Sequence, residues 1–277
     1  MTPDEYCQQK TAASGSSFYY SFLFLPSGKR RAITALYAFC REVDDVVDEC
    51  RDPHLARAKL DWWREEVAAL FEGEPRHPVA LALQEVVRRY DLPRQYFDDI
   101  IDGMAMDLAH AGYGDFKALQ RYCYRVAGVV GLMAAEVFGY QDRRTLNYAG
   151  DLGIACQLTN IIRDVGEDAR RGRVYLPVDE QERFGVRNAD ILAGRDNEAL
   201  RRLIEFQVER AEQFYQQALA ALPAADRKAQ RAGLVMAAIY RTLLQEIRRD
   251  GCRVLDRRVA LTPVRKLWIA WRTWIAG

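Results

Sequence analysis

Two stretches of this chain lay acidic side chains along single helical stripes, among the Val, Leu and Ile that would otherwise pack a core. The first reads Tyr37-Ala-Phe-Cys-Arg41-Glu-Val-Asp44-Asp45-Val-Val-Asp48, and the second Gln157-Leu-Thr-Asn160-Ile-Ile-Arg163-Asp164-Val-Gly-Glu-Asp168. Tyr37, Arg41, Asp44 and Asp48 follow the 3.6-residue period, as do Gln157, Asn160, Asp164 and Asp168. Carboxylates four residues apart rise about 6 Å along a helix, and such a pair repels itself unless a cation stands between. Two stripes of this kind predict a helical protein that gathers hard oxygen ligands for a divalent metal.

The chemistry that suits them is narrow. Magnesium takes octahedral oxygen ligands, using one or two carboxylates together with water and substrate phosphates. Asn160 and Gln157 add neutral oxygens beside Asp164 and Asp168, while Arg41 and Arg163 are placed to grip phosphate oxygens. The spacing does not match an EF-hand loop. Either stripe alone would read as a solvated acidic face. The pair, embedded among apolar residues, points to a metal-bridged diphosphate.

A second ingredient is apolar. Ser14-Gly-Ser-Ser-Phe18-Tyr-Tyr-Ser-Phe22 follows small hydroxyl residues with clustered rings, and Tyr122-Cys-Tyr-Arg-Val-Ala-Gly128-Val-Val-Gly131 sets small residues at helical spacing. Glycine inside a helix costs about 1 kcal/mol against alanine. It is kept where a neighbouring helix, or a long thin ligand, comes close. Aromatic faces also stabilise a carbocation, so the combination points to chemistry on an allylic diphosphate.

The 277 residues, 49% hydrophobic, suffice for one large core. Helical periodicity predicts helices near 29–50, 54–72, 78–91, 93–110, 115–139, 142–167, 196–222, 225–250 and 262–275. Pro26, Pro53, Pro75 and Pro93 lie near starts, and Asp115 is a plausible N-cap. The least periodic stretch, 166–194, reads as a long ordered loop with a short helix. With no repeat or linker visible, residues 1–277 are expected to form a single all-α domain.

The net charge of +1 conceals an asymmetry: from Arg227 onward there are 12 Lys and Arg against 3 Asp and Glu. Solvated helix faces explain that, as does an anionic ligand or membrane surface. The six cysteines show no metal spacing, and Cys40 and Cys156, inside helical patterns, suit small buried residues in a reducing cytosol. With neither a signal peptide nor a membrane-spanning apolar run, the expected place is the cytoplasm. The segment 262–277 is amphipathic and rich in Trp, with Val264, Trp268, Trp271 and Ile275 on one face. It suits peripheral contact with the inner membrane face, or a helix capping the bundle.

Together these motifs, with Arg173-Val-Tyr-Leu-Pro177, resemble the squalene/phytoene synthase family of head-to-head prenyltransferases, in the family's order across most of the chain. The resemblance implies an isoprenoid-synthase helical bundle around a central cavity, with the acidic motifs facing each other at its mouth. It implies Mg²⁺, with Mn²⁺ as a substitute, held by Asp44, Asp48, Asn160, Asp164 and Asp168. Substrate contacts implied are Ser14, Ser17, Phe18, Phe22, Tyr37, Arg41, Gln157, Arg163, Tyr240 and Arg257. Tyr122, near the reacting carbons, joins the four aspartates as catalytic, positioning or accepting a proton. Gly15 departs from relatives that carry a hydroxyl there.

Local details such as Glu42-Val-Asp-Asp-Val-Val-Asp-Glu49 look most like bacterial presqualene diphosphate synthases, which join two farnesyl diphosphates on the hopanoid and squalene route. Phytoene synthase, joining two C20 geranylgeranyl diphosphates, is the nearest alternative, and full squalene synthase another. No Gly-rich dinucleotide fingerprint is present, so NADPH is not expected. Prenyl diphosphates and downstream isoprenoid enzymes are the expected partners, and nucleic acid is not. A terpene cyclase would share the spacing of Asn160, Asp164 and Asp168. A helical lipid-binding scaffold using the acids only for calcium is the non-enzymatic reading.

Overall fold

The computed structural model describes residues 1–13, 18–50, 52–109 and 112–276, apart from the side chain of Phe18. Among them every regular element is helical. In chain order these are α1 (Pro3–Ala13), α2 (Phe18–Phe22), α3 (Ser27–Glu49), α4 (Pro53–Glu72), α5 (Pro78–Arg89) and α6 (Arg94–Leu108). Next come α7 (Phe116–Cys123), a π-helical turn (Tyr124–Gly128), α8 (Val129–Phe138) and α9 (Arg144–Arg170). Finally there are α10 (Val178–Phe184), α11 (Asn188–Leu192), α12 (Glu198–Ala221), a 3₁₀ turn (Ala224–Asp226), α13 (Arg231–Arg249) and α14 (Pro263–Ala276).

Local chemistry sets most boundaries. Asp52 accepts from the His54 amide at 2.9 Å with Pro53 in the first helical position, and Asp115 accepts from Ala118 at 2.7 Å. Asn197 starts α12 by accepting from Leu200 at 2.9 Å. Helix α1 escaped the periodicity because it buries only Cys7 and Thr11. Its signal is a capping box: the Thr2 amide donates to Glu5 at 2.8 Å, and the Glu5 amide donates to the Thr2 hydroxyl at 3.2 Å.

The stretch expected as a long loop is more ordered than its sequence suggests. Helix α9 runs on to Arg170, and α10 and α11 follow a short strap whose Val174, Tyr175 and Leu176 are buried. The strap is tied down where the Val178 amide donates to the Tyr113 carbonyl at 2.8 Å. Helical periodicity is weak here because three short pieces replace one long one.

Helix α9, 27 residues and thus about 40 Å long, is the central post. Its start is anchored by buried Asp226, which accepts from the Gln141 and Asp142 amides and the Thr145 hydroxyl at 2.7, 3.0 and 2.6 Å. One apolar cluster gathers α9, α12 and α13, and a second gathers α1 and α3 to α6 with α8. Val126 and Trp274 pack against both. Between the clusters lies a cavity of about 400 Å³.

The glycines of the 122–131 segment serve helix packing. A Cβ on Gly131 would lie 2.1 Å from the Ala149 carbonyl oxygen, and one on Gly153 would lie 2.2 Å from that of Ala127. Backbones of α8 and α9 therefore touch directly, and both glycines form part of the cavity wall. Gly131→Ala should lower stability by about 1–3 kcal/mol, since a carbonyl cannot give way as a side-chain tip can. Thermal or urea unfolding would measure this against Gly114→Ala, where the space is open and no loss is expected.

Candidate active site

Helix α3 buries Ala32, Leu36, Phe39, Val43 and Val46 on one side, which leaves Tyr37, Arg41 and Asp44 half-buried on the other. Helix α9 does the same with Gln157, Asn160, Arg163, Asp164 and Asp168. The cavity is where these stripes meet. Tyr37, Arg41 and Asp44 line it from α3, Gln157, Asn160 and Arg163 from α9, and Phe22, Tyr122 and Tyr240 from α2, α7 and α13. Its depth is apolar, with Leu36, Val130, Phe138, Leu152 and Met236. Cys40 and Cys156 belong to this lining too, and burial pushes both thiols up to about 12, so they act as apolar surface.

Asp48, Asp164 and Asp168 lie outside the lining. Asp48 accepts from Arg171 at 3.1 Å and from Arg173 at 3.0 Å, so residues just beyond α9 reach across to α3. Arg173 also meets Asp107 of α6 at 3.3 Å, and Asp107 accepts from the Tyr175 hydroxyl at 2.5 Å. Arg41 is paired with Asp44 at 2.5 Å and with Asp45. Asp164 accepts from its neighbour Arg163 at 2.8 Å and from Arg258 at 2.7 Å.

The electrostatics follow from this crowding. Burial raises the Asp44 carboxyl to about 6; Arg41 opposes the rise, while Asp48, Asp45 and Asp107 add to it. Burial, then Asp164 and Asp107, raises Asp168 to about 7. Burial would raise Asp164 as well, yet hydrogen bonds and charge from Arg163 and Arg258 hold it below the ordinary carboxylate value. Asp107 thus belongs electrostatically to both rows. Nothing in the local sequence of α6 marks it, because its role comes only from the strap that folds Arg173 and Tyr175 onto it.

Among the described residues, no three carboxylate, thiol or imidazole groups stand together as a metal site. Asp44, Asp48 and Asp164 are turned towards guanidinium groups, which supply the positive charge a dication would bring. The donor set nonetheless suits magnesium: it is all oxygen, and the Asn160 Oδ1 is buried without a hydrogen-bond partner on the stripe that carries Asp164 and Asp168. Asp44 and Asp168, with carboxyls raised by burial and then by nearby acids, would be relieved by a cation.

Tyr122 is 4% exposed, with its ring centroid 5.6 Å from those of both Tyr113 and Tyr175. Burial, reinforced by Tyr175 and Asp107, holds its hydroxyl far above the ordinary phenol value. It is a neutral phenol at any working pH. Tyr122 faces the cavity while Tyr124, two positions on and about 200° round the helix, is exposed, and a π turn begins at Tyr124.

Two expectations need correction or restriction. Arg257 does not reach the cavity; its Nε donates to Asp250 at 2.9 Å on the surface. The next residue, Arg258, lines the cavity instead and pairs with Asp164 at 2.7 Å. Gly166 permits this placement, since a Cβ there would lie 2.7 Å from the carbonyl oxygens of Val254 and Leu255. Lys266 of α14, missed in the sequence, also lines the cavity. Ser14, Ser17 and the side chain of Phe18 lie outside the described residues.

Known proteins resemble this chain along most of its length. The model of the squalene/phytoene synthase family matches residues 11–265. The phytoene synthase of Arthrospira platensis is 39% identical over 279 residues, 95% of this chain and 89% of that one. The 15-cis-phytoene synthase of Synechococcus elongatus is 38% identical, with 95% and 89% covered. Among solved structures, a dehydrosqualene synthase superposes with a TM-score of 0.90 at 30% identity, covering 99% of this chain and 96% of its own. Squalene synthase HpnC from Alicyclobacillus acidocaldarius does so at 0.80 and 30%, covering 90% and 94%. An all-α bundle of the isoprenoid-synthase type, matched along nearly its whole length, places this chain in the squalene/phytoene synthase family of prenyltransferases.

Proposed function

We propose that this protein joins two allylic prenyl diphosphates head to head, forming a cyclopropylcarbinyl diphosphate and releasing diphosphate. The observation that carries this reading is the convergence of the α3 and α9 stripes, with their arginines, on the mouth of one apolar cavity.

Asp44, Asp48, Asn160, Asp164 and Asp168 would hold magnesium, which when bound stabilises negative charge on the departing diphosphate. Arg41, Arg163, Arg258 and Lys266 face the same space and bind diphosphate oxygens, exchanging carboxylate partners for phosphate ones. The C1–O bond of one substrate breaks, and the C2–C3 double bond of the second attacks the resulting allylic cation. Loss of a proton closes the cyclopropane. Tyr122, held as a neutral phenol, orients the reacting carbons and donates a hydrogen bond. The proton passes to the released diphosphate, the strongest base at hand. The apolar lining keeps water from the cation.

The similarity to phytoene synthases weighs towards two C20 substrates, rather than the C15 pair expected from local sequence details. The C15 pair remains the second reading. A cavity of about 400 Å³ lies near the small end of the roughly 300–1,000 Å³ range of ligand sites, which favours shorter chains. It also agrees with the likeness to a dehydrosqualene synthase and a squalene synthase.

Mass spectrometry of products from C15 and C20 diphosphates, with and without reduced nicotinamide, tests the reading. Phytoene or its cyclopropyl precursor from C20 supports the first, presqualene diphosphate from C15 the second, and a cyclised single-substrate hydrocarbon would overturn both. Chelation should abolish turnover, and added Mg²⁺ should restore it. Asp48→Asn and Asp164→Asn should each lower kcat about 10²–10³-fold while circular dichroism stays unchanged, the scale of losing one transition-state stabilising group. Retained turnover in both would leave the acids with a structural role only.

A further inference from the structure

Helix α14 carries an apolar face that the fold does not use. It rests on the bundle through Ala270 and Trp274, whose ring lies 5.4 Å from Phe24. The adjoining face shows Val264, Leu267, Trp268, Trp271 and Ile275, exposed by 78, 46, 56, 47 and 63%. At 100° per residue these five share about a third of the helix circumference. Trp268 and Trp271 lie side by side, 5.2 Å between ring centroids. Two adjacent, half-exposed tryptophans between three exposed aliphatic residues form an apolar ridge, beyond the scattered single residues of an ordinary surface.

We propose that this ridge docks the protein on an anionic lipid bilayer, with α14 lying in the interface plane. Its 14 residues give a rod of about 21 Å, too short to cross a bilayer, and no helix among the described residues is long and apolar enough to do so. Tryptophan favours the boundary between headgroups and chains. Arg265 and Arg272 flank the ridge on one side, and Arg272 forms no ion pair among the described residues. Of the 12 basic residues from Arg227 onward, Arg241, Arg248, Arg249, Arg257, Arg258 and Arg265 are ion-paired within the fold, so the charge left free beside the ridge, among the described residues, is that of Arg272. That charge complements an anionic headgroup layer. A second copy seated on the same ridge would bring like charges together.

The position has a consequence that rests on the proposed function. Arg258, Val259, Ala260 and Leu261, which lead into α14, line the cavity, as does Lys266 within it. A bilayer against α14 therefore lies beside the cavity wall, so that a prenyl tail dissolved among lipid chains has a short path inward.

Flotation of the full chain with vesicles of phosphatidylcholine, alone or mixed with phosphatidylglycerol, tests the docking. The protein is expected to float with the mixed vesicles, less so at high salt, with its tryptophan emission shifted to the blue. Trp268→Glu with Trp271→Glu should weaken binding at least about tenfold while the thermal melt and turnover on detergent-dispersed substrate are kept. Should that variant fold poorly, Arg272→Glu should still weaken binding and reduce its salt dependence. A wild-type chain that stays unbound overturns the proposal, as does a folded double variant that binds equally well. So does a dimer, seen by ultracentrifugation, that the double variant dissolves without any vesicle binding. A protein that floats but joins no prenyl diphosphates would sink the functional reading and leave the docking intact.

Discussion

Burying carboxylates near one another is unfavourable unless positive charge is built in among them, and the mouth of this cavity is organised by that requirement. Asp44 and Asp168, drawn from helices more than a hundred residues apart, have their carboxyls raised by burial and by other acids. Arginines from four places restrain the repulsion: Arg41 within α3, Arg163 within α9, Arg171 and Arg173 just after it, and Arg258 ahead of α14. Only with this ring of guanidinium groups can the two rows coexist around one opening. Under the proposed function the same ring would serve the chemistry, since a group that offsets carboxylate charge also suits a diphosphate once a dication has taken the carboxylates.

A second constraint lies behind the first. The cavity keeps its shape because α8 and α9 approach to backbone contact at Gly131 and Gly153, and because the segment after α13 presses onto α9 at Gly166. The first approach makes a thin wall beside an apolar space. The second brings Arg258 to Asp164. Packing between helices and charge pairing at the mouth are therefore one problem, solved at three small residues.

Much of this was legible in the chain. Long helices follow from the 3.6-residue period, and the two acidic stripes point to shared metal and phosphate chemistry before any fold is known. Other features stayed hidden for physical reasons. Helix α1 has almost no apolar stripe, so its only mark is the capping box of Thr2 and Glu5. Asp107 sits in an ordinary helical sequence and gains its role from Arg173 and Tyr175, about 66 residues downstream. Arg257 and Arg258 are chemically identical neighbours, and only the path of the segment between α13 and α14 decides which reaches the cavity.

The sequence by itself determined which residues repeat at helical spacing, which faces are apolar and where hard oxygen donors are concentrated, because these depend on local geometry alone. Tertiary structure decided that the two acidic rows come to one opening, that Gly131 and Gly153 let helix backbones touch, and which arginine answers which acid. It also decided which side of α14 is left uncovered. These outcomes depend on the distance between groups far apart in the chain, and local periodicity carries no information about such distances.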